Sequence, residues 1–327
     1  MKQELQEKLS LFISNIQLMK DGFKWRNSMI SHLASFLYTL ENKTLDCSAI
    51  RESNTIIKRN TSILSTFRGD MSLCLAAMLS LKDNREKLFA DIKAAHKMMK
   101  SVGFFATENL IVSAYEIATK APAEYYKQII FRSIAFYDCM KATGFFRTGA
   151  DSYIFAAILG LSDIDVKTGT QRITQLYTRL KPDFSPGNSV QILAEILVLG
   201  GESDSVIERL YTLNNELKNK NLRLDKQYTM SFLGVLALLS VDINTIVQDI
   251  EDAVAFLKME KEFSSFFMTK QDLLLMASPI VASVYAEDVK KDILSASIST
   301  SIIGIIIAAQ QASVIASIAA SNAASSS

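Results

Sequence analysis

Apolar residues along this chain recur at intervals of three and four, the period of a helix that buries one face. Leu88, Ile92, Ala95 and Met99 show it over one stretch. The pattern predicts helices at 71–81, 85–100, 107–119 and 122–142, with Pro122 near the start of the last, where a missing N–H costs least. No ladder of alternating apolar and polar positions appears, so no sheet is expected.

The helical pattern repeats. Segments 72–83 (SLCLAAMLSLKD), 152–163 (SYIFAAILGLSD) and 231–242 (SFLGVLALLSVD) align, each opening on Ser and closing on Asp. Ala34, Ala114 and Ala194 recur at intervals of 80 in a second place and in the same phase. Asp83, Asp163 and Asp242 stand where helix N-caps belong, offering a carboxylate to free backbone N–H groups. The expected fold is therefore all-α, a solenoid-like array of four-helix units about 80 residues long. The expected divisions are a half repeat over 1–66, then 67–145, 146–224 and an incomplete 225–284. An Ala/Ser/Ile-rich tail helix, uncharged from 293, covers 285–327. An open or gently curved stack is expected, because neighbouring units bury each other's apolar stripes.

Composition narrows the field. Only 4 Pro and 12 Gly in 327 residues leave few breakers for a sandwich or barrel, and 49% hydrophobic residues exclude global disorder. A formal charge of +1 provides no footprint for nucleic acid. The first ten residues, MKQELQEKLS, lack the apolar core of a secretory signal, and Cys47, Cys74 and Cys139 suggest no disulfide framework. A reduced, cytoplasmic protein is expected.

The chemistry-bearing residues are sparse. His32 and His96 lie far apart on helices that also carry core residues, and no His adjoins a cysteine. No phosphate-binding glycine loop and no nucleophile elbow occur, and Lys167-Thr168-Gly169-Thr170 reads as a helix start. Asp249, Glu251 and Asp252 read as a solvated helix face. No metal ligand set or cofactor motif is present, so none is expected. The best candidate binding residues are in the turns before each repeat's first helix: Arg68 and Asp70, Arg147 and Asp151, Arg223 and Asp225. Stacking should place them on one edge, where arginines suit a carboxylate, a phosphate or an acidic peptide. The competing expectation is that each Arg pairs with an Asp and each Asp caps a helix.

In the tail, small residues recur every fourth place at Gly304, Ala308, Ala312, Ala316 and Ala320. They form a ridge that lets another helix approach closely. Residues 301–320 match the roughly 20 residues that span a bilayer, but Gln310-Gln311 would sit near its middle. Packing on the last repeat or self-association is therefore favoured over membrane contact through 293–320.

Phe67-Arg68-Gly69-Asp70 before an Ala-Ala helix, the Gly103-Phe104-Phe105 turn and the Ala/Ser-rich end together resemble a family of uncharacterised bacterial proteins, mostly Gram-positive, known only as a domain of unknown function. The resemblance spans nearly the whole chain and implies an all-α cytosolic protein, with no activity or site residues to carry over. The expected function is that of a non-enzymatic interaction or scaffold protein with a protein partner or a second copy of itself. A tail-tethered membrane protein is the alternative. An enzyme using His96 or the Arg/Asp turns in an inter-helix cavity is a second alternative.

Overall fold

A computed structural model describes the backbone except at residues 24–27, 143–148, 185–187, 227, 264–267, 293–295 and 326–327; side chains are described outside these stretches and outside 287–304, 322 and 324–327. Among the described residues the fold holds fifteen α-helices, four short 3-10 turns and no strand. The four helices expected in the first full unit are present at Ser72–Ser80, Arg85–Ser101, Glu108–Lys120 and Tyr126–Ala142, the last after a 3-10 turn that Pro122 opens.

Two kinds of helix alternate. One kind is amphipathic: α1 (Gln3–Gly22), α3 (Cys47–Arg59), α5 (Arg85–Ser101), α7 (Tyr126–Ala142), α9 (Val166–Leu180), α11 (Asp204–Asn219) and α13 (Ile243–Met259). Each buries one stripe, such as Phe89, Ile92, Ala95 and Met99 in α5, and leaves the other face in water. The other kind is covered nearly all round: α2 (Ser28–Leu40), α4 (Ser72–Ser80), α6 (Glu108–Lys120), α8 (Tyr153–Leu161), α10 (Asn188–Leu199), α12 (Met230–Ala237) and α14 (Lys270–Asp292). The aligned sequence segments fall on α4, α8 and α12, and Ala34, Ala114 and Ala194 are all buried on α2, α6 and α10. These recurring apolar features thus lie on the inner kind.

The amphipathic helices form an outer layer and the covered helices an inner layer, and the layers close on themselves. α1 packs against α13 and α14. The Met1 ammonium reaches Asp252 of α13 at 2.6 Å, Lys20 pairs with Glu262, and Lys2 lies over the Tyr285 ring of α14 at 4.2 Å. Phe263 bridges Phe12 of α1 and His32 of α2. The expected open stack is therefore a closed two-layer ring of helices. Small residues let inner helices approach outer ones closely. At Gly160 of α8, an added Cβ would stand 2.8 Å from the Ile129 carbonyl oxygen of α7, so the two helices cross at nearly backbone contact. A spacing of 80 residues does not reveal so close a crossing.

The helix starts follow the capping chemistry, with a correction. Asp242 caps α13 as expected, accepting from the Thr245 N–H at 3.0 Å. Asp83 and Asp163 do not cap. The chain runs one or two residues further, and Asn84 and Asp165 take the caps of α5 and α9. Asn and Asp cap equally well, so composition cannot choose between neighbours.

Gly160→Ala should lower stability by about 1–3 kcal/mol, because the crossing must open to admit a methyl group. Equilibrium urea unfolding measures the effect, and an unchanged midpoint would contradict the close crossing.

Candidate functional site

Parallel inner helices give the ring two rims, one holding the inner helix N-termini and the other their C-termini. The Arg/Asp turns lie on the first. There Glu108 at the start of α6 accepts from the Met71 N–H before α4 at 3.1 Å. Asn188 at the start of α10 donates to Asp151 before α8. Gln271 of α14 donates to the Arg223 carbonyl at 2.7 Å and to Asp225 at 3.4 Å, and accepts from Thr229 at 2.9 Å. The recurring acids and amides therefore tie neighbouring inner helices together.

The arginines do not assemble. Arg68 folds back onto its own loop, donating to the carbonyls of Lys58 and Thr61 and to Thr61 Oγ1 at 3.1 Å. Neither Arg68 nor Asp70 takes part in a described Arg–Asp pair, whereas Arg223 and Asp225 both lie exposed beside Gln271. Arg147 lies outside the described residues.

Behind this rim, between α8 and α10, is a buried polar cluster that sequence inspection missed. Gln191 donates to Ser152 Oγ at 3.1 Å and to Glu195 Oε1 at 2.7 Å. Glu195 is fully buried, and burial pushes its carboxyl up to about 8. Burial also raises Asp151, against the opposing bond from Asn188. The only advance signal was a lone Glu within the apolar run NSVQILAEILVL. The expected solvated acids are likewise corrected at one position: Asp249 is buried and accepts from the Tyr285 hydroxyl, while Asp252 and Glu251 hold the Met1 ammonium and Lys220.

Both histidines are core residues. His32 lies 5.1 Å from Phe263 with the rings tilted, His96 lies 4.8 Å from Phe67, and burial lowers each to about 4, so both are neutral at pH 7. Cys74 is buried and its thiol is pushed far up, which makes it inert. Among the described residues no cluster of His, Cys, Asp and Glu could hold a metal ion.

The C-terminal rim carries a cleft of about 200 Å³ between the ends of α2, α4 and α6. Tyr38 and Ser80 share a 2.6 Å hydrogen bond beside it, and Glu116 pairs with Lys120 at 2.5 Å. Ile307 forms part of its wall and belongs to the last helix, α15 (Ala296–Ser325). That helix runs up the middle of the ring against α2, α6, α8, α10, α12 and α14. It reaches the remaining inner helix through Gln311, whose amide faces Met78 Sδ of α4 at 3.5 Å. The tail thus contacts every inner helix, not only the last repeat.

Ala308 and Ala312 of the small-residue ridge are buried inside the ring, Ala316 is half-buried and Ala320 is exposed. The surroundings of Gly304 lie outside the described residues. Among the described residues no helix is long and apolar enough to cross a membrane. Gln310 and Gln311 are fully buried, donate only to the thioethers of Met276 and Met78, and leave their carbonyl oxygens without a partner.

A family model described as a protein of unknown function, DUF4003, matches residues 15–312. The chain belongs to this family. The match runs from within α1 to within α15, so the DUF4003 model includes both buried glutamines of the central helix. No curated protein and no solved structure matches the chain.

Two outcomes follow. Glu195 binds a proton in the folded state between its ordinary value of 4.5 and about 8, where the unfolded chain has released it. The stabilisation is complete below 4.5 and is lost as pH rises through 8. Glu195→Gln should therefore flatten the fall in stability between pH 6 and 9 and gain about 1–4 kcal/mol at pH 9. Parallel denaturant titrations at the two pH values measure it, and an unchanged slope would count against a neutral buried acid. Separately, Gln311→Met removes an amide whose carbonyl oxygen is unpartnered and whose N–H meets only a thioether, at little cost in volume, so stability should hold or rise by up to about 2 kcal/mol. A loss above about 1 kcal/mol in thermal unfolding would reveal a stronger partner for that amide.

Proposed function

We propose that this DUF4003 chain is a non-enzymatic interaction protein that meets its partner through the rim of inner-helix N-termini. The carrying observation is a set of large apolar side chains held in water there. Ile63 is 82% exposed, Leu64 96%, Phe105 75% and Met259 86%, all in or beside connections that lead from an outer helix to an inner one. Such side chains are depleted from surfaces that meet only water once they gather on one face. The central space also supports the proposal, because α15 occupies it and the outer surface remains for contact. Cys47, Cys74 and Cys139 are all free thiols, which suits a reducing compartment and supports a cytoplasmic location.

A photo-crosslinking amino acid placed at Leu64 or Phe105 should yield discrete adducts in cells, and one at Lys127, exposed on α7, should not. Replacing Ile63, Leu64, Phe105 and Met259 together by Ser should remove the adducts formed from neighbouring rim positions. The fold should survive, since surface changes of this kind alter stability by about 0.5 kcal/mol or less each. Equal labelling from rim and control positions would overturn the proposal.

A further inference from the structure

The residues flanking the exposed tips identify the partner, given the rim proposal above on which this inference rests. Lys58 and Arg59 precede Ile63-Leu64, Lys97 and Lys100 precede Phe105, and Lys258 immediately precedes Met259. Lys58, Lys97, Lys100 and Lys258 are all exposed. The pattern extends round the ring: each outer helix carries a base in its last turn, at Lys20, Lys58, Lys100, Lys141, Arg179, Lys218 and Lys258. The inner helices α2, α4, α8, α10 and α12 end at the opposite rim with none. Lys20 and Arg179 are paired with Glu262 and Asp204, and the inner helix α6 ends on Lys120, so the exposed bases beside the tips are Lys58, Lys97, Lys100 and Lys258.

Helix dipoles explain a base at a C-terminus. They do not explain an apolar tip beside it. The tips end α13 and follow α3 and α5, and α1 packs between α13 and α3, so the tips lie on neighbouring parts of the rim. A folded protein partner would need a separate pocket for each short tip. A fluid surface needs none, since apolar side chains sink to the headgroup boundary while lysines above it meet anionic lipid. Nucleic acid would use the lysines and leave Ile63 and Leu64 without a role.

We propose that this part of the rim docks the ring peripherally on an anionic bilayer, with the ring intact and α15 in place. The docking uses the rim and not the tail. The test is flotation of the full chain with phosphatidylcholine vesicles, with and without phosphatidylglycerol, at low and high salt. Binding should require the anionic lipid and weaken at least tenfold at high salt. Ile63→Ser with Leu64→Ser and Phe105→Ser should weaken it at least tenfold, and Lys58→Glu with Lys97→Glu and Lys258→Glu should abolish it.

Ser231 of α12 and Ser313 of α15 have hydroxyl oxygens 3.1 Å apart, so cysteines at the two positions can lock the central helix in its seat. The locked chain should bind as the unlocked one does. Loss of binding on locking would show that α15 leaves the ring to reach the membrane, and would overturn the proposal. Absence of flotation, or equal flotation with neutral vesicles, would also overturn it. If flotation fails while rim positions still crosslink to a protein, only the lipid assignment fails; if rim crosslinks are absent as well, the rim proposal fails with it.

Discussion

Over most of their described length the seven inner helices are covered on every face. α4, α8 and α12 are buried at almost every position, and Leu, Ile, Phe and Ala point from them in all directions. Each Leu, Ile or Phe among them contributes about 1.5–3 kcal/mol only if it is fully covered. The outer layer covers one side. Ring closure brings the other sides together around a central channel, and that channel must then be filled. α15 fills it with a slender stack of Ala, Ser and Ile that suits a narrow space. The outer amphipathic layer, the closure of α1 on α13 and α14, and the unusual composition of the last helix all follow from that requirement.

The filling is incomplete in its polar chemistry. Gln310 and Gln311 bring amides into a channel whose walls provide thioethers, and Ser278 of α14 also lacks a partner for its hydroxyl. A helix selected only for packing would carry Leu or Met at those positions. Unpartnered polar atoms also occur away from the channel, at His96, Asn109 and Arg209, whereas the buried Asn15 amide is fully used. Asn15 donates to Thr39 Oγ1 and the Lys43 carbonyl and accepts from the Leu45 N–H, which ties α1 to the turn after α2.

Helix positions were legible in the sequence because an amphipathic period is a local property. Arg85–Ser101 and Glu108–Lys120 match their expected spans within a residue or two for that reason. Closure was not legible, because it is summed over many helix crossings, and a local period says nothing of how near two backbones come, as at Gly160. The tail's small-residue ridge was visible, but its partner was not: a ridge states that something packs closely without stating what. The Arg/Asp turns were visible as a recurrence. Their use as ties between inner helices depends on Glu108, Asn188 and Gln271, which lie 37 to 48 residues further along the chain. Glu195 was hidden because one acid in an apolar run reads the same whether it faces water or a Gln191 amide.

Ring closure joins residues far apart in sequence: Lys8 of α1 reaches Ser283 of α14 across 275 positions. Contacts of such long range form late, because the entropy of closing the intervening loop is paid before they contribute. As the helices emerge from the ribosome in order, each inner helix gains an outer neighbour at once, yet its channel side waits for α15. The growing chain therefore carries an uncovered apolar trough until α15 is in place. That makes nascent intermediates prone to clumping and gives chaperones a long window in which to act.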